Sequence, residues 1–341
     1  MKGDRDYIVH PSPFSRPFNG SGEVTAVRSI DDLREKDVRD KIAVLTGDIA
    51  KEPLMPKNFP FYFPDHHAEI IDLLETKRPK ALIAGTGEHP IIKGFDCFTL
   101  FEDSNFIIPG VFTTIKEAEQ VIKNNSRISL IIDSRVIENI KSRQLKASRK
   151  SGRASADKII ICAHMDTKYG TPGALDNAGG VTVLLKTMEI LKDFSPQYDL
   201  EFVPFNGEEY PEVMGQLKYL NSISKDFSKL KLVINIDGAG HKDGGIAYST
   251  YNFNEELQKR IETPAKTYGL EKGPQWVEGD HSMFVMQGIP SIAITSTNMF
   301  HTVAGVAHTE NDTEDLVSCE NLEKAASFIA GIVTTLQEKL V

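Results

Sequence analysis

The sequence of 341 residues is poor in cysteine, with only Cys97, Cys162 and Cys319. Three cysteines cannot all pair within one chain, and none of them stands in a Cys-x-x-Cys spacing. A disulfide framework is therefore excluded, and a reducing compartment is favoured. Cys162 lies in the apolar run 159–163 and is interpreted as a small core residue.

Long hydrophobic runs are also missing. The N-terminal sequence MKGDRDYIVHPSPF has no apolar signal core, and no later uninterrupted run is long enough to span a bilayer. The sequence therefore predicts a protein without a membrane partner and with a cytoplasmic location. Secretion after removal of a leader is the open alternative.

An excess of positive charge is the third absence, because the formal net charge is -9. Without a dominant basic patch, nucleic acid is not expected as a partner. The basic cluster at 141–153 alternates with serine and glycine and is interpreted as the solvated end of a hairpin. Apolar residues make up 40% of the chain, so we expect a globular protein with a full hydrophobic core.

From residue 158 onward the chain alternates apolar strands with amphipathic helices. Runs such as KLVINID lack polar alternation, which indicates strands buried on both faces. The pattern predicts an α/β fold: a mixed, mainly parallel sheet covered by helices on both faces. The predicted strands are 158–163, 200–206, 231–237, 245–249 and 291–295, and the predicted helices are 181–191 and 322–336.

The first third of the chain has a separate organisation. Strands are predicted at 41–46 and 80–84 with a helix at 65–77 between them, and the proline-rich connection 47–64 is a predicted loop. We therefore predict a smaller α/β domain at 20–125. A catalytic domain is predicted at 126–341, on which residues 1–19 could pack.

Acidic and histidine side chains follow the predicted strands of the second domain at their C-terminal ends, or lie in the loops beyond them. Ligand sites in open α/β sheets form at this edge. Each of these short patterns occurs by chance in proteins without a site, and only the ordered set indicates one. The residues are His164, Asp166, Asp176, Glu208, Glu209, Asp237 and His308.

Convergence of these acids in one pocket predicts bound cations, because carboxylates that lie so close cannot all stay ionised without compensation. Imidazole nitrogen and carboxylate oxygen, without thiolate, suit zinc, cobalt or manganese. One carboxylate can bridge two metal ions about 3.5–4 Å apart, an arrangement used in metal-assisted hydrolysis. The sequence therefore predicts two zinc ions, with cobalt or manganese as alternatives.

The ligands divide between the two predicted metal positions. Asp176 is the predicted bridging ligand, because its small neighbours in GALDNAGG permit close backbone approach. His164 and Asp237 are expected to complete one position. Glu209 and His308 are expected to complete the other.

Two further acids are assigned to catalysis. Glu208 is the predicted general base, which takes a proton from a metal-bridging water and returns it to the leaving amine. Asp166, two residues from His164, is expected to accept a hydrogen bond from that imidazole and so to fix its tautomer.

The segments HMD, PGALDNAGG, NGEE, NIDG, GDHSMFVMQGIP and HTENDT carry a resemblance to the M28 family of zinc aminopeptidases, in that family's order. The resemblance covers most of residues 158–313. It implies two co-catalytic zinc ions, the same ligands and base, and peptide substrates with a free N-terminus. Residues 20–125 resemble the protease-associated insertion of that family, in KIAVLTG, KALIAG and IIPGVFTT.

Several assignments stay open at this level. His301 competes with His308 for the last ligand position. Tyr248 and Tyr251 are candidates for an oxyanion-stabilising tyrosine, and His281 is expected near the substrate pocket or in a structural hydrogen bond. The histidines expected to face solvent are His66, His67, His89 and His241.

The leading hypothesis is metal-assisted hydrolysis of an N-terminal peptide bond. A carboxypeptidase on the same fold would need an arginine or lysine clamp for the substrate carboxylate, and none is evident beside the motifs. A single-zinc glutaminyl cyclase or a non-catalytic binding module would have lost part of the ligand set. Neither the preferred N-terminal side chain nor the oligomeric state follows from the sequence.

Overall fold

The computed structural model describes residues 1–57, 59, 63–90, 96–137, 140–153, 157–210, 214–223 and 227–337. Its internal contacts divide the chain into two compact units, Met1–Lys141 and Ser142–Val341. Among the residues described, no helix has both the length and the apolar character needed to cross a bilayer.

The first unit is built on one sheet. Its strands are β1 (His10–Pro11), β2 (Phe18–Val27), β3 (Ile42–Leu45), β4 (Ala81–Thr86), β5 (Gly110–Thr114) and β6 (Arg127–Ile132). Its helices are α1 (Ile30–Glu35), α2 (Asp65–Lys77) and α3 (Ile115–Asn124). The strand order is β1-β5-β4-β3-β2-β6. The four central strands run parallel, and β1 and β6 are antiparallel edges.

Alternate residues of this sheet face two different helical layers. Leu45 and Leu82 pack with Leu74 of α2, whereas Val44 and Ile83 belong to the core that α3 covers. The period of two along each strand therefore builds both halves of the core.

The first unit extends beyond the predicted range of 20–125. Strand β6 pairs with β2 along its whole length, with Phe18 opposite Ile132. At the N-terminus, the backbone of Lys2 exchanges hydrogen bonds with Ser129. Residues 1–19, for which packing on the catalytic domain was one possibility, belong to the first unit. Pairing partners more than a hundred residues apart leave no local signal of where a domain ends.

The second unit contains the strands β7 (Ala147–Arg149), β8 (Lys158–His164), β9 (Asp199–Phe205), β10 (Leu230–Ile236), β11 (Ile246–Tyr251), β12 (Glu271–Lys272) and β13 (Ser291–Ser296). Its α-helices are α4 (Gly179–Ile190), α5 (Gly215–Ile223), α6 (Glu255–Tyr268), α7 (Ser282–Val285), α8 (Ala304–Val306) and α9 (Cys319–Thr335). The strand order is β12-β11-β13-β10-β8-β9-β7. Strands β9, β8, β10 and β13 are parallel. Strand β7 runs antiparallel to β9, and β11 runs antiparallel to β13 and parallel to β12.

Helices cover this second sheet on both faces, which confirms the predicted fold class. Ile161 and Ile234 pack in one core with residues of α4, α6 and α9. On the other face, the ring of Phe205 meets Tyr219 of α5 edge-on, and Ala293 packs with Val285 of α7. Burial on both faces explains why the central strands are continuous apolar runs.

Three local predictions were wrong. The basic cluster at 141–153 is not a hairpin end, since β7 within it pairs with the distant strand β9. His67 and His241, expected in solvent, are buried. These two histidines are buried by contacts with other side chains and loops, which a local sequence pattern does not reveal.

Candidate metal centre

The predicted ligands meet at one edge of the second sheet. Strand β8 ends at His164, and Asp237 directly follows β10. Glu208 and Glu209 follow β9, whose last residue Phe205 lies opposite His164. Because β9, β8 and β10 are parallel neighbours, their C-terminal ends place these side chains at the same edge.

Asp176 reaches this edge because α4 packs closely against the end of β10. The buried Asn177 side chain donates to the carbonyl of Ile236 at 2.8 Å and accepts from the N–H of Gly180 at 3.0 Å. A Cβ on Gly180 would lie only 2.7 Å from the Ile236 carbonyl oxygen. The glycine permits the approach that sets Asp176 beside Asp237.

Asp312 fixes the backbone at Asp176. Its fully buried carboxylate accepts hydrogen bonds from the N–H of Leu175 at 2.7 Å and of Asp176 at 3.0 Å. Burial raises the pKa of Asp312, although these two hydrogen bonds oppose the shift. Asp312 lies in the HTENDT motif, but its role depends on a contact between distant loops, which the sequence analysis missed.

Two donor groups share Asp176. Its Oδ1 lies 3.0 Å from His164 Nε2, which is 3.4 Å from Asp237 Oδ1. Its Oδ2 lies 3.1 Å from His308 Nε2, which is 3.0 Å from Glu209 Oε1. In each group the three ligand atoms lie within 4.8 Å of one another. The two carboxylate oxygens of Asp176 therefore serve two adjacent positions.

The structure brings His308 to the acids, whereas His301 is exposed. The backbone of His308 has φ of +64°, in the left-handed region that non-glycine residues seldom occupy. This conformation is held at the position where the ring meets Asp176 and Glu209.

Asp166 positions the loop that carries both glutamates. Its Oδ1 accepts from the N–H of Glu208 at 3.3 Å, and its Oδ2 accepts from the N–H of Glu209 at 3.1 Å. His164 Nδ1 lies 3.0 Å from the main-chain carbonyl oxygen of Asp166, but 3.8 Å from its carboxylate. The carbonyl, and not the expected carboxylate, thus fixes the tautomer of His164.

The donor set fits a divalent metal. A carbonyl oxygen only accepts, so His164 Nδ1 carries the proton, and Nε2 turns its lone pair toward the carboxylates of Asp176 and Asp237. Glu209 Oε1 is buried without a hydrogen-bond partner, although His308 Nε2 is 3.0 Å away. Donor atoms that face one another in this way can hold a divalent cation between them.

The pKa shifts express the same electrostatics. Burial lowers the pKa of His164 and His308, but the neighbouring carboxylates outweigh it. They raise the pKa of His308 to about 10 and that of His164 well above its usual value. Desolvation also raises the pKa of Glu208 well above the usual range for a carboxyl. The acids therefore demand positive charge, which bound metal would supply.

Asp280, in the GDHSMF motif, is a further buried acid whose charge acts on His164, Asp237 and Asp166. Its Oδ1 accepts from Gln216, and its Oδ2 has no hydrogen-bond partner. Burial raises the pKa of Asp280 to about 7. The motif had drawn attention only to the adjacent histidine.

Neither tyrosine proposed from the sequence can stabilise an oxyanion. Tyr248 is a core residue whose ring contacts Phe328, and the hydroxyl of Tyr251 donates to the carbonyl of Trp276 at 2.7 Å. His281 is fully buried with Nε2 3.0 Å from the same carbonyl, so its role is structural.

A second cluster, in the first unit, joins Glu52, His66 and His67. Glu52 Oε1 lies 3.1 Å from His66 Nε2 and 3.6 Å from His67 Nε2. However, His67 Nδ1 accepts the backbone N–H of Met55 at 3.1 Å. The proton of a neutral His67 is then on Nε2, which leaves no lone pair for a metal.

Comparison with known proteins identifies the family of this chain. Residues 146–333 match the family described as Peptidase family M28. The chain belongs to peptidase family M28. This membership confirms the family expected from the motifs.

Two curated relatives and one solved structure show the extent of the likeness. Carboxypeptidase Q of Rattus norvegicus is 22% identical over 275 residues, which cover 76% of this chain and 57% of that protein. Aminopeptidase YwaD of Bacillus subtilis is 25% identical over 185 residues, covering 52% and 40%. The chain thus spans about half the length of the curated relatives it matches. A zinc aminopeptidase structure from Bacillus subtilis superposes with a TM-score of 0.70 at 19% identity, over 98% of this chain and 80% of that one.

Proposed function

We propose that this M28 protein is a metal-dependent exopeptidase that hydrolyses the N-terminal peptide bond of peptides. The proposal rests on the two carboxylate oxygens of Asp176, of which Oδ1 faces His164 and Oδ2 faces His308. A shared carboxylate between two donor groups is the arrangement that two-metal hydrolysis requires. The same site is the one toward which the buried acids converge.

Two zinc ions are the proposed cofactors, with cobalt or manganese as alternatives. Asp176 would contribute to both positions, His164 and Asp237 to the first, and Glu209 and His308 to the second. When bound, such ions supply positive charge that polarises a peptide carbonyl and makes water acidic enough to attack near neutral pH.

Glu208 is the proposed general base. Its backbone N–H is held by Asp166, so the carboxylate stands beside the ligand Glu209 without being needed in either donor group that contains Asp176. A carboxylate there can take the proton of the attacking water and return it to the leaving amine. Desolvation by burial raises the pKa of this carboxyl well above its usual range.

The proposed substrates are peptides with a free N-terminus. An α-ammonium group carries positive charge, and the buried carboxylates of Glu209 and Asp237 give the site negative charge. Attraction of opposite charges favours the N-terminal end of a peptide over its C-terminal carboxylate. The likeness of residues 20–125 to a protease-associated insertion stays a prediction, with a role in substrate access or in assembly.

A carboxypeptidase is the second candidate, since one relative that covers 76% of the chain bears that name. Such an enzyme would bind a substrate carboxylate through a cation near the ligands. Lys168 lies there, but its Nζ donates to the carbonyl oxygen of Glu209 at 2.6 Å. A lysine held in this way is poorly placed to clamp a substrate, so the first candidate is preferred.

The test combines zinc analysis with hydrolysis of matched peptides that are free or blocked at either end. We expect about two zinc ions per chain and chelator-sensitive cleavage that requires a free N-terminus. Glu208→Gln should retain zinc and lose about a thousandfold in kcat. Cleavage that instead requires a free C-terminus would select the carboxypeptidase, and zinc binding without hydrolysis of any peptide would exclude both.

A further inference from the structure

Lys168 divides the carboxylate of Glu209 between two partners. Its Nζ lies 3.6 Å from Glu209 Oε2, while Glu209 Oε1 faces His308 Nε2 at 3.0 Å. One oxygen of this ligand thus points into the donor group, and the other points toward an ammonium group. This lysine is not among the predicted site residues.

Further contacts hold the ammonium group in place. Lys168 Nζ donates to the main-chain carbonyl of Glu209 at 2.6 Å and lies 4.6 Å from the centre of the Tyr210 ring. The neighbouring N–H of Tyr169 donates to the hydroxyl of Tyr210 at 2.8 Å. The segment after β8 is therefore tied to the segment after β9 on both sides of Glu209, and Lys168 side-chain exposure is only 20%.

We infer that Lys168 is a positioning residue that restricts Glu209 to one ligating oxygen and lowers zinc affinity at the position formed by Asp176, Glu209 and His308. A positive charge within a few ångströms of Glu209 Oε2 opposes a second cation nearby. It also competes for the oxygen that would otherwise join Oε1 on the metal. The inference rests on the proposed metal site.

Weaker binding at this position would favour catalysis. A carboxylate that donates both oxygens places more negative charge on a metal, and so reduces the positive charge available to a substrate carbonyl. Groups that contact ligands commonly alter metal affinity or activity by about 10–100-fold. Lys168 would thus lower the zinc affinity at one position and leave a metal bound there more electrophilic.

The experiment titrates the metal-free full chain with zinc by calorimetry and compares wild type with Lys168→Met. We expect the dissociation constant of the weaker zinc to fall about tenfold. The tighter zinc should be unchanged, and kcat should fall about tenfold with little change in KM. Lys168→Arg, which keeps the charge, should restore most of both values. Lys150→Met, which removes an exposed lysine paired with Asp199 at 2.8 Å, is the matched control.

A merely structural lysine gives the opposite result for metal. Its loss would loosen the 208–210 loop and weaken zinc binding, so weaker or unchanged binding in Lys168→Met overturns the inference. In a His308→Ala background the effect of Lys168→Met should disappear, and persistence there also overturns it. A wild-type chain that binds neither zinc, cobalt nor manganese would refute the proposed function itself, which separates the two failures.

Discussion

The two units of the chain are built on the same kind of sheet, but the proposed metal ligands lie at the edge of the second sheet. Both have parallel central strands with aliphatic residues packed under helices. In the second unit the strand ends carry His164 and Asp237. In the first unit the central strands β3 and β4 end at Leu45 and Thr86, and the polar residues that follow them, Asp48, Glu88 and His89, belong to none of the metal-donor clusters found among the described residues.

Ion pairs chosen from the two units differ in how deeply they are buried. The ion pairs Arg5–Glu117 and Arg28–Glu119 of the first unit leave their arginines 48% and 46% exposed. In the second unit, Glu201 has 3% side-chain exposure and is paired with Lys158 at 2.7 Å. Buried acids in the second unit must therefore be compensated by specific partners, either basic side chains or metal.

The largest expected effect contrasts the two histidine-containing clusters. Asp176→Ala removes the ligand shared by both donor groups, so bound zinc and peptide hydrolysis should both be lost, the latter by more than about a thousandfold. Glu52→Ala, in the cluster of the first unit, should change neither. Zinc content after dialysis and kcat/KM measure both variants, and loss of zinc from Glu52→Ala would break the contrast.

A smaller effect is expected at Asp312. Asp312→Ala leaves the N–H groups of Leu175 and Asp176 without their acceptor, so Asp176 should be poorly oriented and zinc affinity should fall by about 10–100-fold. Calorimetric titration with zinc measures this change. The nearby Asp315→Ala, at a side chain that is 73% exposed, is the control. Equal affinities in the two variants would argue against an orienting role for Asp312.

The third prediction concerns the buried pair of the second unit. Lys158→Met leaves Glu201 with only Tyr219 at 2.6 Å and the more distant, half-exposed Lys146. We expect the free energy of unfolding to fall by about 1–3 kcal/mol. Urea denaturation measures it, and Lys231→Met, at an exposed pair, should cost less than about 0.5 kcal/mol.

The same pair should show a pH dependence. Burial raises the pKa of Glu201, but the hydrogen bonds from Lys158 and Tyr219 outweigh it and lower the pKa below its usual value. The stabilisation is therefore complete above the unfolded-state pKa of about 4.3 and is lost as pH falls through the lower folded value. The difference in the free energy of unfolding between wild type and Lys158→Met should be constant near pH 7 and should become smaller below about pH 4.

The smallest effect is expected at the exposed pairs of the first unit. Arg5→Met removes a partner of Glu117, but the arginine is about half exposed, so the free energy of unfolding should change by less than about 1 kcal/mol. If the free energy of unfolding fell as far in Arg5→Met as in Lys158→Met, the exposure of an ion pair would not determine how much that pair contributes to stability.

Much of the second unit could be predicted locally. The uninterrupted apolar runs of β8 and β10 indicated buried strands, and the acids just beyond them indicated which edge carries the site. Helix α2 was predicted with its observed bounds, Asp65–Lys77. These features depend on neighbours along the chain, which a sequence displays directly.

Contacts between distant segments could not be predicted. Because β6 pairs with β2, the first unit ends later in the chain than predicted. The carboxylate of Asp312, in a distant loop, accepts a hydrogen bond from the backbone of Asp176. The choice between the carboxylate and the carbonyl of Asp166 as partner of His164 depended on a difference of less than one ångström. Side-chain direction at this scale follows from packing, which has no local sequence signature.

The sequence by itself determined the residue types at the strand ends, and with them the family and the chemistry of the proposed site. The tertiary structure alone decided how Asp176 divides its oxygens between His164 and His308, and that Lys168 lies against Glu209. The physical reason is that ligand type is set residue by residue, whereas distance and direction arise only when parallel strands and their loops are packed together.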